Sequence, residues 1–305
     1  MRTKFNYKME EKDVSAILAA DLHLREDQPI CRTDDYFLAQ ERKIKYIKEL
    51  QIKYKVPVLI SGDIFHHWKP SPFLLAWALK NLPDNIICIP GQHDLPQHQI
   101  DLIYKSGLGV LERAGKIQLI TNSFKFVQCN GFNVNGFPFG TKPFAAVRDV
   151  VIWHNLVWTG KTPWPGCEDP NADDVLDSYP NANLILTGDN HKQFIVKRNN
   201  QILVNPGSMM RMSADQDTHI PCVFLWSKKL NLVESVPLPI DLGVINREHI
   251  EEKEIRDKRI NAFISRLSNS GEIGLSFEGN LNKFISANTL HKEVISIINQ
   301  VVFGE

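Results

Sequence analysis

Short apolar runs alternate with longer amphipathic runs in the first third of the chain. Residues 14–20 form a continuous apolar run of strand length, and residues 36–53 have apolar positions at helical spacing. The alternation continues through two strand-like runs, 56–60 and 86–89, with a helical run at 73–82 between them. Since strands that are apolar throughout are usually covered on both faces, the pattern predicts a βαβα arrangement around a buried sheet.

The middle of the chain is mostly strand-like, because its apolar runs are short and are separated by turn residues. The predicted strands here, the last four of them paired as two hairpins, are residues 117–120, 124–127, 132–134, 150–153, 184–186, 194–196, 202–204, 223–226 and 230–233. Together with the first third, they predict an α/β fold in which two packed sheets are flanked by helices.

The composition changes after a proline-containing stretch that ends at Pro239. Residues 247–267 are highly charged but have an apolar stripe at helical spacing, and a second helix is predicted at 291–302. We therefore divide the chain into a main domain, 1–240, and a mainly helical C-terminal cap or partner-docking segment, 241–305.

Charge and cysteine content limit the classes of protein. The 305 residues include 35 Lys and Arg and 35 Asp and Glu, so the formal net charge is zero. A protein that binds DNA by itself usually has a basic excess, so metal ions or a partner would have to supply much of the attraction to nucleic acid. The five cysteines lie far apart in sequence, which favours reduced thiols over a disulfide framework or a zinc ribbon. Without a signal peptide or a run of about 18 apolar residues, the sequence predicts a cytoplasmic protein.

Polar motifs follow five of the predicted strands directly. They are Asp21-Leu22-His23, Gly62-Asp63, Gly91-Gln92-His93-Asp94, His154 and Gly188-Asp189-Asn190-His191. Because ligand sites in α/β sheets lie at the carboxyl ends of strands, we expect these side chains to meet at one edge. Carboxylate, amide oxygen and imidazole suit manganese, iron or zinc. Two such ions roughly 3.5–4 Å apart can clamp a phosphate, and Asp63 is placed to bridge them.

The ordered motifs resemble those of the calcineurin-like metallophosphoesterase superfamily. The resemblance runs from about residue 14 to residue 236 and includes the VNPGS turn at 204–208. It implies a four-layer α/β/β/α sandwich, two packed mixed sheets flanked by helices, that hydrolyses phosphate esters with two divalent metal ions. Manganese is the expected ion, with magnesium, iron and zinc as alternatives.

One segment narrows the resemblance to a subfamily. Residues 62–72 read GDIFHHWKPSP and are similar to the corresponding segment of the SbcD-type DNA repair nucleases. This similarity implies a DNA exo- or endonuclease in which a metal-bridging hydroxide attacks the phosphorus in line. It also implies an SbcC-type coiled-coil ATPase as partner and a homodimer. The competing explanation is that Phe65 and Trp68 simply pack and that His66 is a surface residue.

The resemblance also implies a role for each motif residue. The first metal would be bound by Asp21, His23, Asp63 and His191. The second metal would be bound by Asp63, Gln92, His154 and Asp189. His93 would protonate the leaving oxygen or stabilise the transition state, Asp94 would orient His93 through its other ring nitrogen, and His66 would touch the phosphate. The expected substrate contacts are Lys69, Trp158 and Arg211.

Two positions depart from the superfamily pattern. Gln92 stands where the superfamily has Asn, and Asp189 stands where it has His. Both departures fall on the predicted second metal site, so this site is either retuned towards ions that prefer oxygen ligands or weakened. Two other functions therefore stay open: a phosphodiesterase or phosphatase for a small nucleotide or phosphoprotein, and a weakly active subunit that binds DNA or an ATPase.

Overall fold

The computed structural model describes residues 9–144, 147, 149–269 and 277–302. Within this part, the side chains of residues 249, 251–255 and 266–269 are not described. The chain is organised as two units, Met1–Asn246 and Arg247–Glu305.

Two six-stranded mixed sheets form the centre of the first unit. The strands are β1 (Ala16–Ala19), β2 (Val58–Ile60), β3 (Ile86–Cys88), β4 (Ile117–Leu119), β5 (Phe126–Cys129), β6 (Phe132–Phe137), β7 (Asp149–His154), β8 (Ala182–Gly188), β9 (Phe194–Arg198), β10 (Gln201–Asn205), β11 (Cys222–Ser227) and β12 (Leu232–Pro237). The first sheet has the order β12-β11-β1-β2-β3-β4, and the second has the order β5-β6-β7-β8-β10-β9.

Each sheet contains four neighbouring parallel strands. In the first sheet β1 to β4 run parallel, and β11 pairs antiparallel with β1. In the second sheet β6, β7, β8 and β10 run parallel, and antiparallel β5 and β9 close the edges. Since parallel strands end at the same side of a sheet, the polar residues that follow β1, β2 and β3 are brought together.

Helices cover the outer faces of the two sheets. In the first unit they are α1 (Tyr36–Tyr54), α2 (Pro72–Asn81), α3 (Gly107–Arg113) and α4 (Ala172–Ser178). The buried side chains of α1 to α3 pack against alternate residues of the first sheet, such as Ile17 and Ile60. The buried side chains of α4 pack against Val151 and Ile185 of the second sheet. The remaining strand positions, such as Leu18, form the apolar layer between the sheets.

Side-chain caps fix where two of these helices begin. The Asp35 carboxylate accepts a hydrogen bond from Leu38 N at 2.9 Å, and Ser71 Oγ accepts one from Leu74 N at 3.1 Å. Pro72 occupies the first turn of α2, where its missing N–H costs nothing. These caps satisfy orphan amide groups, so the helix starts follow directly from the local sequence.

The predicted fold class is confirmed: the unit is a four-layer α/β/β/α sandwich. Helix α4 was not predicted, because its seven residues span only two turns and its apolar positions are too few to establish a helical period. In the second unit the helices are α5 (Glu248–Asn269), α6 (Phe277–Ala287) and α7 (Lys292–Val302), of which α6 was also not predicted. Among the described residues, no helix is both long and apolar enough to cross a lipid bilayer.

A buried lysine on α1 should make stability depend on pH. Lys43 is 2% exposed, and its Nζ donates to the Met209 carbonyl at 3.0 Å. Burial, reinforced by the nearby Arg32 and Arg211, lowers the pKa of Lys43 to about 7. The unfolded chain therefore binds more protons than the folded chain between the folded pKa and the ordinary lysine pKa. The destabilisation is complete below pH 7 and disappears as the pH rises towards the ordinary pKa.

We expect Lys43→Met to remove this pH dependence. The free energy of unfolding of wild type should rise by about 2–4 kcal/mol relative to Lys43→Met between pH 7 and pH 10. Urea denaturation across that range measures the difference. Lys45→Met, at an exposed position of the same helix, is the matched control and should track wild type. If the free energies of unfolding of wild type and Lys43→Met differ by the same amount at every pH, burial does not lower the pKa of Lys43.

Candidate metal centre

The five predicted motifs converge at the carboxyl ends of strands from both sheets. Asp21 and His23 follow β1, and Asp63 follows β2, whereas His154 is the last residue of β7 and Asp189 directly follows β8. The backbones of the first two segments run side by side, since His23 N donates to the Asp63 carbonyl at 2.9 Å. The centre therefore lies across the edge where the two sheets meet.

Four of the converging residues have a backbone conformation that side chains other than glycine seldom adopt. The φ angles are 47° at Asp21, 44° at His23, 52° at Asp63 and 72° at Asp189. Such left-handed residues cost on the order of 1–3 kcal/mol each and persist only where the surroundings enforce them. Their concentration at one edge is typical of a site in which direction of the side chains matters more than stability.

Three side chains form the first group of candidate ligands. Asp21, His23 and His191 each present a ligand atom, and these atoms all lie within 4.8 Å of one another. The Nε2 atoms of His23 and His191 face each other at 3.1 Å. This separation suits two imidazoles that share one ion, because Zn–N bonds are roughly 2.0–2.1 Å long.

A second group adjoins the first and shares Asp21. Asp21, Asp63 and His154 also offer ligand atoms within 4.8 Å of one another. Asp63 Oδ2 lies 3.7 Å from His23 Nε2 and 3.5 Å from His154 Nε2. The carboxylate of Asp63, a member of the second group, thus also approaches His23 of the first group, as expected of a bridging ligand. The amide oxygen of Gln92 joins the second group, at 2.5 Å from His154 Nε2.

Several buried polar atoms in the centre have no hydrogen-bond partner. They include Asp21 Oδ2, Asp63 Oδ2 and His23 Nδ1. An unsatisfied buried polar group costs about 1–3 kcal/mol, and more when it is charged, so two orphaned carboxylate oxygens in one cluster need a cationic partner. Oxygen and imidazole donors without a thiolate match hard or borderline divalent ions. The residues present therefore fit two divalent ions.

The electrostatics of the cluster are consistent with a cation site. Burial, together with the neighbouring carboxylates of Asp63 and Asp189, raises the pKa of Asp21 to about 7. Burial lowers the pKa of His23 well below its ordinary value, which keeps its nitrogen lone pair available. Burial opposes a proton on His154, but the carboxylates around it, led by Asp63, raise its pKa to about 10. A metal ion would replace this proton, so metal binding should release protons.

His93 and His66 form a stacked pair beside the first group. Their rings lie 5.4 Å apart at 17°, and the His23 ring is 4.9 Å from the His93 ring. His93 Nδ1 faces the His66 carbonyl at 2.9 Å. Because a carbonyl only accepts, Nδ1 carries the hydrogen and Nε2 is left for the substrate. The backbone N–H of His93 donates to Asp63 Oδ1 at 2.9 Å.

Nitrogen atoms of His23, His66 and His93 also lie within 4.8 Å of one another, which makes a third group. A metal ion is disfavoured there, because Arg25 Nη1 lies 3.1 Å from His66 Nε2. A guanidinium so close repels a cation. Sequence reasoning missed Arg25, although its place two residues after His23 was a signal that it belongs to the same loop.

The role predicted for Asp94 is corrected by its contacts. Its carboxylate accepts hydrogen bonds from three backbone N–H groups, at Ile64, Phe65 and Gly91, over 3.1–3.3 Å. Both oxygens are thus used to tie the β2 and β3 loops together. Since Nδ1 of His93 is held by a backbone carbonyl, Asp94 orients His93 only through the loop backbone.

The three predicted substrate contacts lie in different surroundings. Lys69 is exposed and lines a cleft beside His66. Trp158 is half-buried, donates to the Asp169 carbonyl at 2.7 Å and borders a separate depression at the start of α4. The prediction for Arg211 is wrong: this side chain is 3% exposed, and its guanidinium donates to the Asp217 and Asp241 carbonyls. It cannot reach a substrate from there.

A sequence model of the calcineurin-like phosphoesterase family matches residues 15–193, more than half of the chain. The chain belongs to the calcineurin-like phosphoesterase family. The five motifs of the metal centre all lie within the matched region. No curated protein sequence matches the chain.

Three solved structures of low sequence identity are similar to this chain over about three quarters of its length. An archaeal phosphodiesterase is 14% identical with a TM-score of 0.41, over 73% of this chain and 99% of its own. A candidate 5′-nucleotidase from Staphylococcus aureus, in complex with alpha-ketoglutarate, is 14% identical with a TM-score of 0.44, over 76% of this chain and 54% of its own. A protein of Thermus thermophilus is 11% identical with a TM-score of 0.47, over 74% of this chain and all of its own.

Family membership gives the metal centre its chemistry. The calcineurin-like phosphoesterases are metal-dependent hydrolases that bind two divalent ions, and this chain is a metal-dependent phosphoesterase. When bound, two such ions neutralise charge on the phosphate and activate a water. In this chain the ions would be bound by the two groups that share Asp21, of which the second contains Asp63.

Glycines give the phosphoesterase site its tight packing, and Gly91 is the clearest case. A Cβ atom at Gly91 would lie 2.1 Å from Asp63 Oδ1 and 2.7 Å from Asp63 N. We expect Gly91→Ala to displace the Asp63 carboxylate and to lower kcat/KM by about 100-fold, the loss typical of a 1 Å misplacement. The control is Gly160→Ala, where a Cβ meets nothing within 4 Å but φ is 78°, so the backbone strain should lower stability and not activity. Steady-state hydrolysis of a generic phosphodiester measures both, and wild-type activity in Gly91→Ala would contradict the tight contact.

Proposed function

We propose that this phosphoesterase is a phosphodiesterase that cleaves nucleic acid, with DNA as the substrate and an activity of the SbcD type. One observation carries the proposal. The segment that resembles the SbcD-type nucleases lines an open cleft directly beside His66. The residues that line this cleft are Leu24, Arg25, Glu26, Asp27, His66, His67, Lys69, Pro70, Ser71 and Leu74.

The shape of this cleft supports a polymeric substrate. It has a volume of about 210 Å³, is open on one side, and leads from His66 towards the N-terminal end of α2. A phosphate at the metal centre would have its neighbouring nucleotides outside the ligand cluster, and an open cleft allows the strand to continue. An enclosed pocket would instead favour a small nucleotide.

The contacts of His66 also support a role in the reaction. Phe65 is fully buried, as the simple packing explanation predicts. His66, in contrast, accepts a hydrogen bond from Arg25, stacks on His93 and has a buried Nδ1 with no partner in the protein. Because arginine only donates, Nδ1 carries the hydrogen. It is therefore a neutral N–H donor that no acceptor of the protein satisfies.

Different residues of this chain have different roles in hydrolysis. Asp21, Asp63 and the imidazoles around them hold the ions and so position the phosphate. His93, fixed through Nδ1 by the His66 carbonyl, has Nε2 free to hold the proton that the leaving oxygen takes up. Lys69 lies on the cleft, where a lysine can contact a phosphate further along the strand.

A cleavage assay with matched substrates tests the proposal. Single- and double-stranded DNA and a generic phosphodiester dye are incubated with manganese, magnesium or zinc. We expect manganese-dependent DNA cleavage by wild type and a raised KM for DNA, but not for the dye, in Lys69→Ala. Lys197→Ala, at an exposed position of β9, is the control and should cleave like wild type.

Two results would redirect the proposal. Hydrolysis of the dye without cleavage of DNA would indicate a small nucleotide or phosphoprotein as substrate. If neither substrate is hydrolysed until Asp189 is replaced by His, the natural chain is better interpreted as a binding subunit.

We further propose that the chain works with an SbcC-type ATPase and as a homodimer. The zero net charge supports a partner that contributes DNA contacts. Helix α7 supports it too, because Val294, Ile297 and Val301 form an exposed apolar stripe along the helix. Light scattering of the purified chain tests the dimer, and a monomer at micromolar concentration would contradict it.

A further inference from the structure

Gln92 and Asp189, the two residues that depart from the superfamily pattern, contact each other. Gln92 Nε2 donates to Asp189 Oδ1 at 2.5 Å, while Gln92 Oε1 lies 2.5 Å from His154 Nε2. The two substitutions are 97 residues apart in sequence but form one hydrogen-bonded unit. They are therefore better understood together than as two separate changes.

The orientation of the Gln92 amide follows from its two neighbours. An ionised carboxylate only accepts hydrogen bonds, so Asp189 must face the NH2 end of the amide. The oxygen then points towards His154. The other ring nitrogen of His154, Nδ1, donates to the Ser61 carbonyl at 2.5 Å. Without a metal ion, Nε2 also carries a hydrogen and donates it to Gln92 Oε1, which only accepts. An ion that displaced this proton would have Nε2 as its ligand nitrogen. Gln92 Oε1 and His154 Nε2 thus converge on the second ion position.

The Asp189 carboxylate lies near the second group but is not part of it. Among the described residues, the groups of ligand atoms within 4.8 Å of one another include Asp21, Asp63 and His154 but not Asp189. Its backbone is fixed in the left-handed region and donates from N to Asp21 Oδ1 at 3.1 Å. The following residue is also fixed, because Asn190 Nδ2 donates to the Val157 carbonyl at 2.8 Å.

We propose that Asp189 is a positioning residue, which holds Gln92 so that its amide oxygen, rather than the Asp189 carboxylate, binds the second ion. The inference rests on the two-metal centre of the proposed function. The second ion then has His154, the shared carboxylates and a neutral amide oxygen as ligands, and lacks the second imidazole of the superfamily pattern. It binds more weakly than the first ion and prefers oxygen-seeking ions such as Mn²⁺.

Titration of the metal-free protein with Mn²⁺ tests this assignment without any substrate. Calorimetry gives the two dissociation constants, and electron paramagnetic resonance detects magnetic coupling between the two ions. Wild type should bind two coupled ions, the second more weakly. Asp189→Ala should raise the dissociation constant of the second ion by about 10–100-fold, as is typical when the partner of a ligand is removed. It should leave the dissociation constant of the first ion within about threefold of wild type.

Asp189→Asn is the decisive variant, because its amide oxygen can still accept from Gln92 but the negative charge is gone. If Asp189 is a positioning residue, the dissociation constant of the second ion in Asp189→Asn should stay within about threefold of wild type. Equal weakening in Asp189→Asn and Asp189→Ala would overturn the proposal and make Asp189 a ligand. Binding of only one ion by wild type would overturn the proposal as well, because the hydrogen-bonded Gln92 and Asp189 would then prevent an ion from binding at the second position.

The first ion serves as an internal check on folding. A variant that retains the first dissociation constant is folded at the centre, so loss of the second ion alone is informative. Gln92→Ala, which removes the proposed ligand itself, should lose the second ion more completely than Asp189→Ala. Failure of DNA cleavage would leave these titrations unchanged, so the two proposals fail separately.

Discussion

Replacing Asp63 with asparagine is expected to lower kcat/KM for a phosphodiester by about four orders of magnitude, roughly 5 kcal/mol of transition-state stabilisation. Asp63 is fully buried, and its Oδ2 lies between His23 and His154, one from each ligand group. Loss of this carboxylate removes a ligand from both ions at once. No other single substitution in the centre should have a larger effect.

The hydrogen bonds of Asp63 explain why an isosteric amide cannot replace it. His93 N donates to Oδ1 at 2.9 Å, so an asparagine at residue 63 keeps its oxygen at that position. Its NH2 group then occupies the place of Oδ2, where it points donors at both ion positions. A neutral donor there repels cations, whereas the native oxygen attracts them.

Metal analysis and kinetics together check this prediction. Asp63→Asn should retain at most one ion per chain after desalting, while Asp101→Asn, at an exposed position, should retain the wild-type content and activity. Circular dichroism confirms that both variants fold. Two tightly bound ions and more than about a tenth of wild-type activity in Asp63→Asn would show that Asp63 does not bridge the ions.

The sequence predicted the sandwich because its strands are short, continuously apolar and directly followed by polar motifs. β2 and β3 are buried at every position, so their apolar runs stand out against the helices around them. The pattern fails where an element is too short for a period, as in α4. The backbone conformation of Asp21 and His23 was beyond prediction, because Asp and His adopt positive φ more often than most residues but still only rarely.

In the candidate site, sequence order identified the residues that meet but not how they contact each other. Two of the three N–H partners of Asp94 belong to a loop about 30 residues away, which no local pattern reveals. The burial of Arg211 depends on two backbone carbonyls whose positions follow from the packed fold. Likewise, spacing marks Gln92 and Asp189 as unusual, but only the folded chain brings their side chains together.

The second large effect is expected for His93→Ala on substrates with a poor leaving group. We expect kcat for a nucleotide leaving group to fall by about 10³-fold, within the range for loss of a general acid. Hydrolysis of a nitrophenyl ester should fall by about tenfold or less, because nitrophenolate leaves without a proton. Stopped-assay kinetics with both substrates measure the split. The exposed His291 provides a matched control, and His291→Ala should behave like wild type on both.

The split between substrates separates the two roles that His93 could have. A residue that only stabilises charge on the phosphate would slow both substrates equally, and His93→Gln, which still offers an N–H donor, would restore much of the rate. A proton donor cannot be replaced in this way, so His93→Gln should be as slow as His93→Ala on DNA. Metal content completes the test: His93 lies near His23 and His66, and loss of an ion in His93→Ala would instead make this third group a metal site. Retention of both ions would agree with the position of Arg25 beside His66, which disfavours a metal ion in the third group. The loss of rate would then be due to loss of proton transfer from His93 Nε2.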